Sequence, residues 1–180
     1  MKFFLDTEFT NLPWEGHSEL LWIALVDETG TRELSAVNAD CDVNACSQFV
    51  REHVTPQLGK AHARLARTEL ATAVKHFVDG DDSPEFWAWQ PSVANVAWIA
   101  GNSRARGLHA RFADWDYQLL LDLVGEVPRS WPAQCNDVHA RAAATRTRLP
   151  SNPSPHDALA DAHWTRAVWL ASVQGKDLKS

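Results

Sequence analysis

The chain has 180 residues, 45% of them apolar, enough for one hydrophobic core and with no call for a second domain. Its formal net charge of −6 argues against a broad basic surface that grips long duplexes through many phosphates. Cys41, Cys46 and Cys135 are odd in number and form no Cys-x-x-Cys pair, so neither a disulfide framework nor a thiolate zinc site is expected.

A reducing cytoplasm fits that cysteine usage. The opening Met1 to Leu5 is too short an apolar run for a signal peptide or membrane span, so a soluble, unprocessed chain with no membrane partner is expected.

In chain order, Phe3 to Leu5 reads as a buried strand that delivers Asp6 at its C-terminal edge. Glu19 to Asp27 and Arg32 to Val37, separated by Glu28-Thr29-Gly30-Thr31, read as a hairpin. Val43 to Val54 and Thr68 to Val78 have helical spacing, with Pro56 between them. Phe86 to Trp89 follows turn-rich Asp79 to Pro84 and reads as a central strand. Tyr117 to Val124 has helical length and stops at Gly125; Ala133 to Val138 reads as a last short strand. The proline-rich Pro150 to Pro155 forces an extended loop, and Asp157 to Val173 is a final helix. This order predicts an α/β fold with a mixed sheet flanked by helices.

Two motifs carry chemistry. Asp6 and Glu8, one residue apart at a strand end, fall on the same face, where their oxygens can converge on a hard divalent cation. His156 precedes the final helix and Asp161 lies five residues later, so the imidazole can lean over a metal held from the next turn and take a proton from water. Spacing alone would pair Asp157 with Asp161 instead.

Together, Phe4-Leu5-Asp6-Thr7-Glu8-Phe9 and His156-Asp157-Ala158-Leu159-Ala160-Asp161 resemble the first and third motifs of DEDDh exonucleases. Within that ribonuclease-H-like superfamily the chain looks closest to the small exoribonucleases of mycobacteria and their phages, the polyadenylate-specific ribonuclease AS type. Phe77 to Gly80, Glu85 to Trp89, Ser130 to Pro132 and Cys135 to Asp137 support the resemblance. The second motif departs from the family pattern, because the strand at Phe86 to Trp89 runs into Val93-Ala94-Asn95 with no carboxylate. The pattern resumes at Ala113-Asp114-Trp115-Asp116-Tyr117, which assigns Asp116 and makes about 90–112 an insertion in a single domain. Asp114 stays open as a substitute, and Leu108 to Phe112 as an alternative motif strand.

The resemblance implies a five-stranded mixed sheet and an active site of Asp6, Glu8, Asp116, His156 and Asp161. The four acids would hold two Mg²⁺ or Mn²⁺ ions, and His156 would activate water. It further implies a homodimer that trims single-stranded RNA from the 3′ end to nucleoside 5′-monophosphates, with a preference for adenylate. Trp14 is a candidate for stacking the terminal base and Glu19 for reading a base edge. Arg104, Arg106 and Arg111 are candidates for phosphate contacts. Alternative readings are a DNA 3′→5′ exonuclease of the proofreading type, and a catalytically silent nucleic-acid-binding module on the same fold.

Overall fold

The consecutive apolar residues Phe3, Phe4 and Leu5, buried on both faces, make the first segment a central strand of the sheet. In the computed structural model, which describes residues 1–11, 17–89 and 115–177, strand β1 (Lys2–Phe9) lies between β2 (Leu20–Asp27), antiparallel, and β5 (Glu85–Ala88), parallel. β3 (Glu33–Asn38) pairs antiparallel with β2, β4 (Ala63–Leu65) parallel with β3, and β6 (Asn136–Asp137) parallel with β5. Among the described residues the order is β4-β3-β2-β1-β5-β6, a mixed sheet of six strands and not the expected five. The additional strand, β4, has three residues, too few for alternation to show in the sequence.

Helices cover both faces of this sheet, and that is why β2 is buried along its whole length. One face packs under α2 (Arg67–Val78) and α3 (Trp115–Val124), with Phe3, Leu5, Leu25, Val74, Phe86 and Leu120 in the core. The other packs under α5 (Ala158–Asp177), where Trp22, Ala24 and Val26 meet Ala158 and Ala162. The arrangement fits the ribonuclease-H-like class. Arg166 of α5 fixes that helix on the β2–β3 turn by donating to the carbonyls of Glu28 and Thr29 at 3.0 and 2.7 Å. Gly30 there has φ +77°, and a Cβ on it would meet the guanidinium at 2.7 Å.

Three segments differ from the expected form. Val43 to Val54 is a 3-10 turn (Val43–Ala45) followed by α1 (Gln48–His53), because Ser47 caps a new helix by accepting from Val50 N at 3.3 Å. Pro56 sits in the first turn of a 3-10 helix (Thr55–Lys60), where its missing N–H costs nothing. The last strand keeps only Asn136–Asp137, since Asp137 accepts from His139 N at 2.8 Å and caps α4 (Val138–Thr145). The expected insertion at about 90–112 lies outside the described residues.

Candidate active site

Strand alternation divides β1 between the two layers. Phe3 and Leu5 enter the core beneath α2 and α3, while Phe4 packs against Trp169 of α5, their ring centroids 5.8 Å apart. Asp6 and Glu8 continue the even-numbered side and therefore meet α5, whose first turn carries Asp161. One carboxylate oxygen from each of Asp6, Glu8 and Asp161 lies within 4.8 Å of the others. The β1–β2 register shifts between Glu8 and Phe9, a bulge of the kind that re-aims a strand end beside a site.

Asp116 stands beside this trio, at the first turn of α3, and so reaches the strand end from the opposite layer. Thr7 Oγ1 donates to its Oδ1 at 2.5 Å. The odd-numbered residue between Asp6 and Glu8 thereby anchors the fourth acid. Asp114, the alternative, lies outside the described residues.

Asp161 is held from both sides. Asn152 Nδ2 donates to one oxygen and His156 N–H to the other, the latter at 2.8 Å. Holding that N–H on the carboxylate places His156 at φ +65°, a backbone conformation a side-chain-bearing residue seldom adopts. Its flanks are fastened too. Gln57 Nε2 donates to Pro155 O at 3.0 Å, and Lys60 Nζ lies 3.1 Å from Asp157 Oδ2. Asp157 is thus spent on Lys60 and on capping Ala160 N at 3.2 Å, which leaves Asp161 to face the acids. His156 Nδ1 lies 4.0 Å from Glu8 Oε1.

The electrostatics follow from removing four like charges from water. Burial, then the charges of Asp116, Glu8 and Asp161, hold the Asp6 carboxyl well above its ordinary range. Burial and the charges of Asp161 and Asp116 push Glu8 up to about 8. Burial raises Asp116 to about 6 against the lowering effect of the Thr7 bonds, and raises Asp161 against those of Asn152 and His156. Without a cation such a cluster must keep protons at neutral pH. Hard divalent cations accept this all-oxygen donor set and relieve the same repulsion, so the residues fit Mg²⁺ or Mn²⁺.

Beside the acids lies an aromatic group that the sequence reading passed over. Phe49, 51% exposed, stacks on His53 at 4.6 Å and meets the edge of His156 at 5.1 Å. A signal existed in the sequence: Val50 and Val54 carry the buried side of this segment, which leaves the i, i+4 pair Phe49 and His53 off the apolar face. Asn152 and Thr7 were also missed, and no spacing rule would single them out. Trp14 and Arg104, Arg106 and Arg111 lie outside the described residues. Glu19 is exposed, 3.2 Å from His17 Nε2, and is not one of the three converging acids.

Comparison with known proteins points to one class, the 3′-5′ exoribonucleases. Two curated proteins of that name, from Mycobacterium tuberculosis strains CDC 1551 and H37Rv, are each 37% identical over 102 residues, covering 54% of this chain. The match spans 58% of their length, so the likeness reaches only a little over half of the curated relatives. No family model matches the chain. No helix among the described residues is long and apolar enough to cross a membrane.

Proposed function

We propose that the chain is a metal-dependent 3′→5′ exoribonuclease of the DEDDh kind, with Asp6, Glu8, Asp116 and Asp161 as metal ligands and His156 as general base. The observation that carries this is the convergence of Asp6, Glu8 and Asp161 within 4.8 Å, with Asp116 alongside and His156 at the rim. The likeness to proteins named 3′-5′ exoribonucleases supports the same direction of attack and RNA as substrate.

Asp6, Glu8, Asp116 and Asp161 would hold Mg²⁺ or Mn²⁺, which when bound would supply charge stabilisation to the phosphodiester undergoing hydrolysis. His156 takes a proton from the attacking water, and its half-buried position at the rim gives that water access. Water oxygen bonds to the terminal phosphorus, and the bond from phosphorus to the 3′ oxygen of the preceding nucleotide breaks. That oxygen takes up a proton, leaving a shortened strand with a 3′-hydroxyl and a free nucleoside 5′-monophosphate. Glu8 Oε1 lies 4.0 Å from the imidazole. Phe49 offers a face on which the terminal base stacks, a contact that tolerates any base.

Adenylate preference then requires a group at the base edge, and Glu19 is our candidate acceptor for the adenine amino group. Assembly as a homodimer and a cytoplasmic setting belong to the same reading. The test is a time course on labelled poly(A), poly(C), poly(U) and a DNA oligomer of equal length, with Mn²⁺ or chelator, for wild type, Asp6→Asn and Glu19→Ala. Metal-dependent loss of single nucleotides from the 3′ end of RNA is expected, absent in Asp6→Asn. Faster DNA cleavage would assign the chain to the proofreading kind. Undiminished activity in excess chelator would remove the two-metal reading, and equal rates on the three RNAs would remove the adenylate preference.

A further inference from the structure

We infer that Arg146 and Arg148 form a phosphate track for the single strand on the 5′ side of the scissile nucleotide. The inference deepens the exoribonuclease reading and rests on it for the direction of the strand.

The chain is acidic, yet from Val138 to His156 it holds Arg141, Arg146 and Arg148 and not one carboxylate. Most of the other described arginines are committed to the fold. Arg32 donates to Phe77 O, Arg67 to Asp122 O, Arg141 to Ser172 Oγ and Arg166 to the β2–β3 turn. Arg146 and Arg148 are exposed, and among the described residues neither side chain has a hydrogen-bond or ion-pair partner. They lie on the segment that runs from α4 into the Asn152–His156 loop. Arg148 is four residues from Asn152, whose amide holds Asp161, and an extended chain of that length reaches at most about 14 Å.

This segment is fixed in place. Trp164 Nε1 of α5 donates to Pro150 O at 2.9 Å, and the hydroxyls of Thr145 and Thr147 pair at 2.7 Å. Arg146 ends α4 at φ +53°, where its N–H closes on the carbonyls of Ala142 and Ala143. Glycine or asparagine is the usual residue in that conformation. A cation suits the negative end of a helix, which accounts for Arg146 in structural terms. It does not account for Arg148 two residues further on, nor for the absence of any acid beside them. Guanidinium groups held on a fixed segment beside a carboxylate-lined site match the chemistry of a phosphodiester backbone.

The experiment measures binding of a long single-stranded RNA by fluorescence anisotropy in chelator as salt is raised. It compares wild type, R146Q, R148Q, the double variant, the double Arg→Lys variant and R64Q, the last removing an exposed arginine on β4. Each phosphate contact on a single strand contributes about 0.7 to the slope of log affinity against log salt, so the double Gln variant should lose about 1.4. Between about 50 and 200 mM salt, wild type should then lose about 7-fold more affinity than the double variant. The Lys variant should keep the wild-type slope, and so should R64Q. A wild-type slope in the double Gln variant overturns the proposal, as does equal flattening by R64Q. A double Gln variant that keeps the slope but changes the mass of the particle would assign the arginines to a protein contact. If wild type fails to shorten RNA with Mn²⁺ while the slope loss persists, the RNA track stands and the exonuclease reading falls.

Discussion

Replacing Glu8 by Gln should stabilise the metal-free protein near neutral pH while weakening its response to metal. Burial beside Asp161 and Asp116 pushes Glu8 from its ordinary 4.5 up to about 8. Below pH 4.5 both the folded and the unfolded chain hold this proton, and its stabilising effect is complete. As pH rises from 4.5 towards 8 the unfolded chain releases the proton while the fold retains it, so stability falls by about 1.4 kcal/mol per pH unit. By pH 7 the loss through Glu8 is about 3 kcal/mol, which for a chain of this size shifts the melting temperature by roughly 6–12 °C. Asp116 and Asp6, also raised, act in the same direction. The assay is thermal unfolding in chelator at several pH values between 5 and 8, for wild type and Glu8→Gln, repeated with Mn²⁺. Wild type should melt lower as pH rises and recover with Mn²⁺. Glu8→Gln should show a flatter profile, melt higher at pH 7 and gain less from the metal. A variant that melts lower than wild type at pH 7 in chelator would refute the reasoning, because the carboxylate would then be a net support of the fold.

The other predictions concern the groups around that cluster. His156→Ala should retain Mn²⁺ binding by calorimetry and lose roughly 10²- to 10⁴-fold in single-turnover rate, since water activation is removed and ion binding is not; disappearance of metal binding would make His156 a ligand. Asp116→Asn should abolish hydrolysis and Asp114→Asn should be mild, and steady-state rates that reverse this order would shift the second motif to Asp114. Phe49→Ala should weaken binding of the terminal nucleotide by about 1–3 kcal/mol, raising KM more than it lowers kcat; an unchanged KM would separate the exposed ring from the substrate.

The sequence by itself determined most of the elements and which face of the first strand its two acids share. Asp-x-Glu at the end of an apolar strand obliges both acids to share a face, because the side-chain period of a strand is two, and Asp6 and Glu8 do meet the helix carrying Asp161. The hairpin, α2, β5 and the final helix were legible for similar reasons of periodicity and turn chemistry, whereas β4 and α4 were too short for a period to register. Spacing along the last helix would pair Asp157 with Asp161 on one face. Tertiary structure separated their roles: Lys60, about a hundred residues away in sequence, pairs with Asp157 at 3.1 Å, while Asp161 converges with Asp6 and Glu8. It also brought Asp116 to Asp6 through Thr7, pinned Asp161 with Asn152, and set Phe49 against His156. These are contacts between separate layers of the fold. A local pattern can state which face a side chain occupies, but only the packing of one layer on another decides what it meets there.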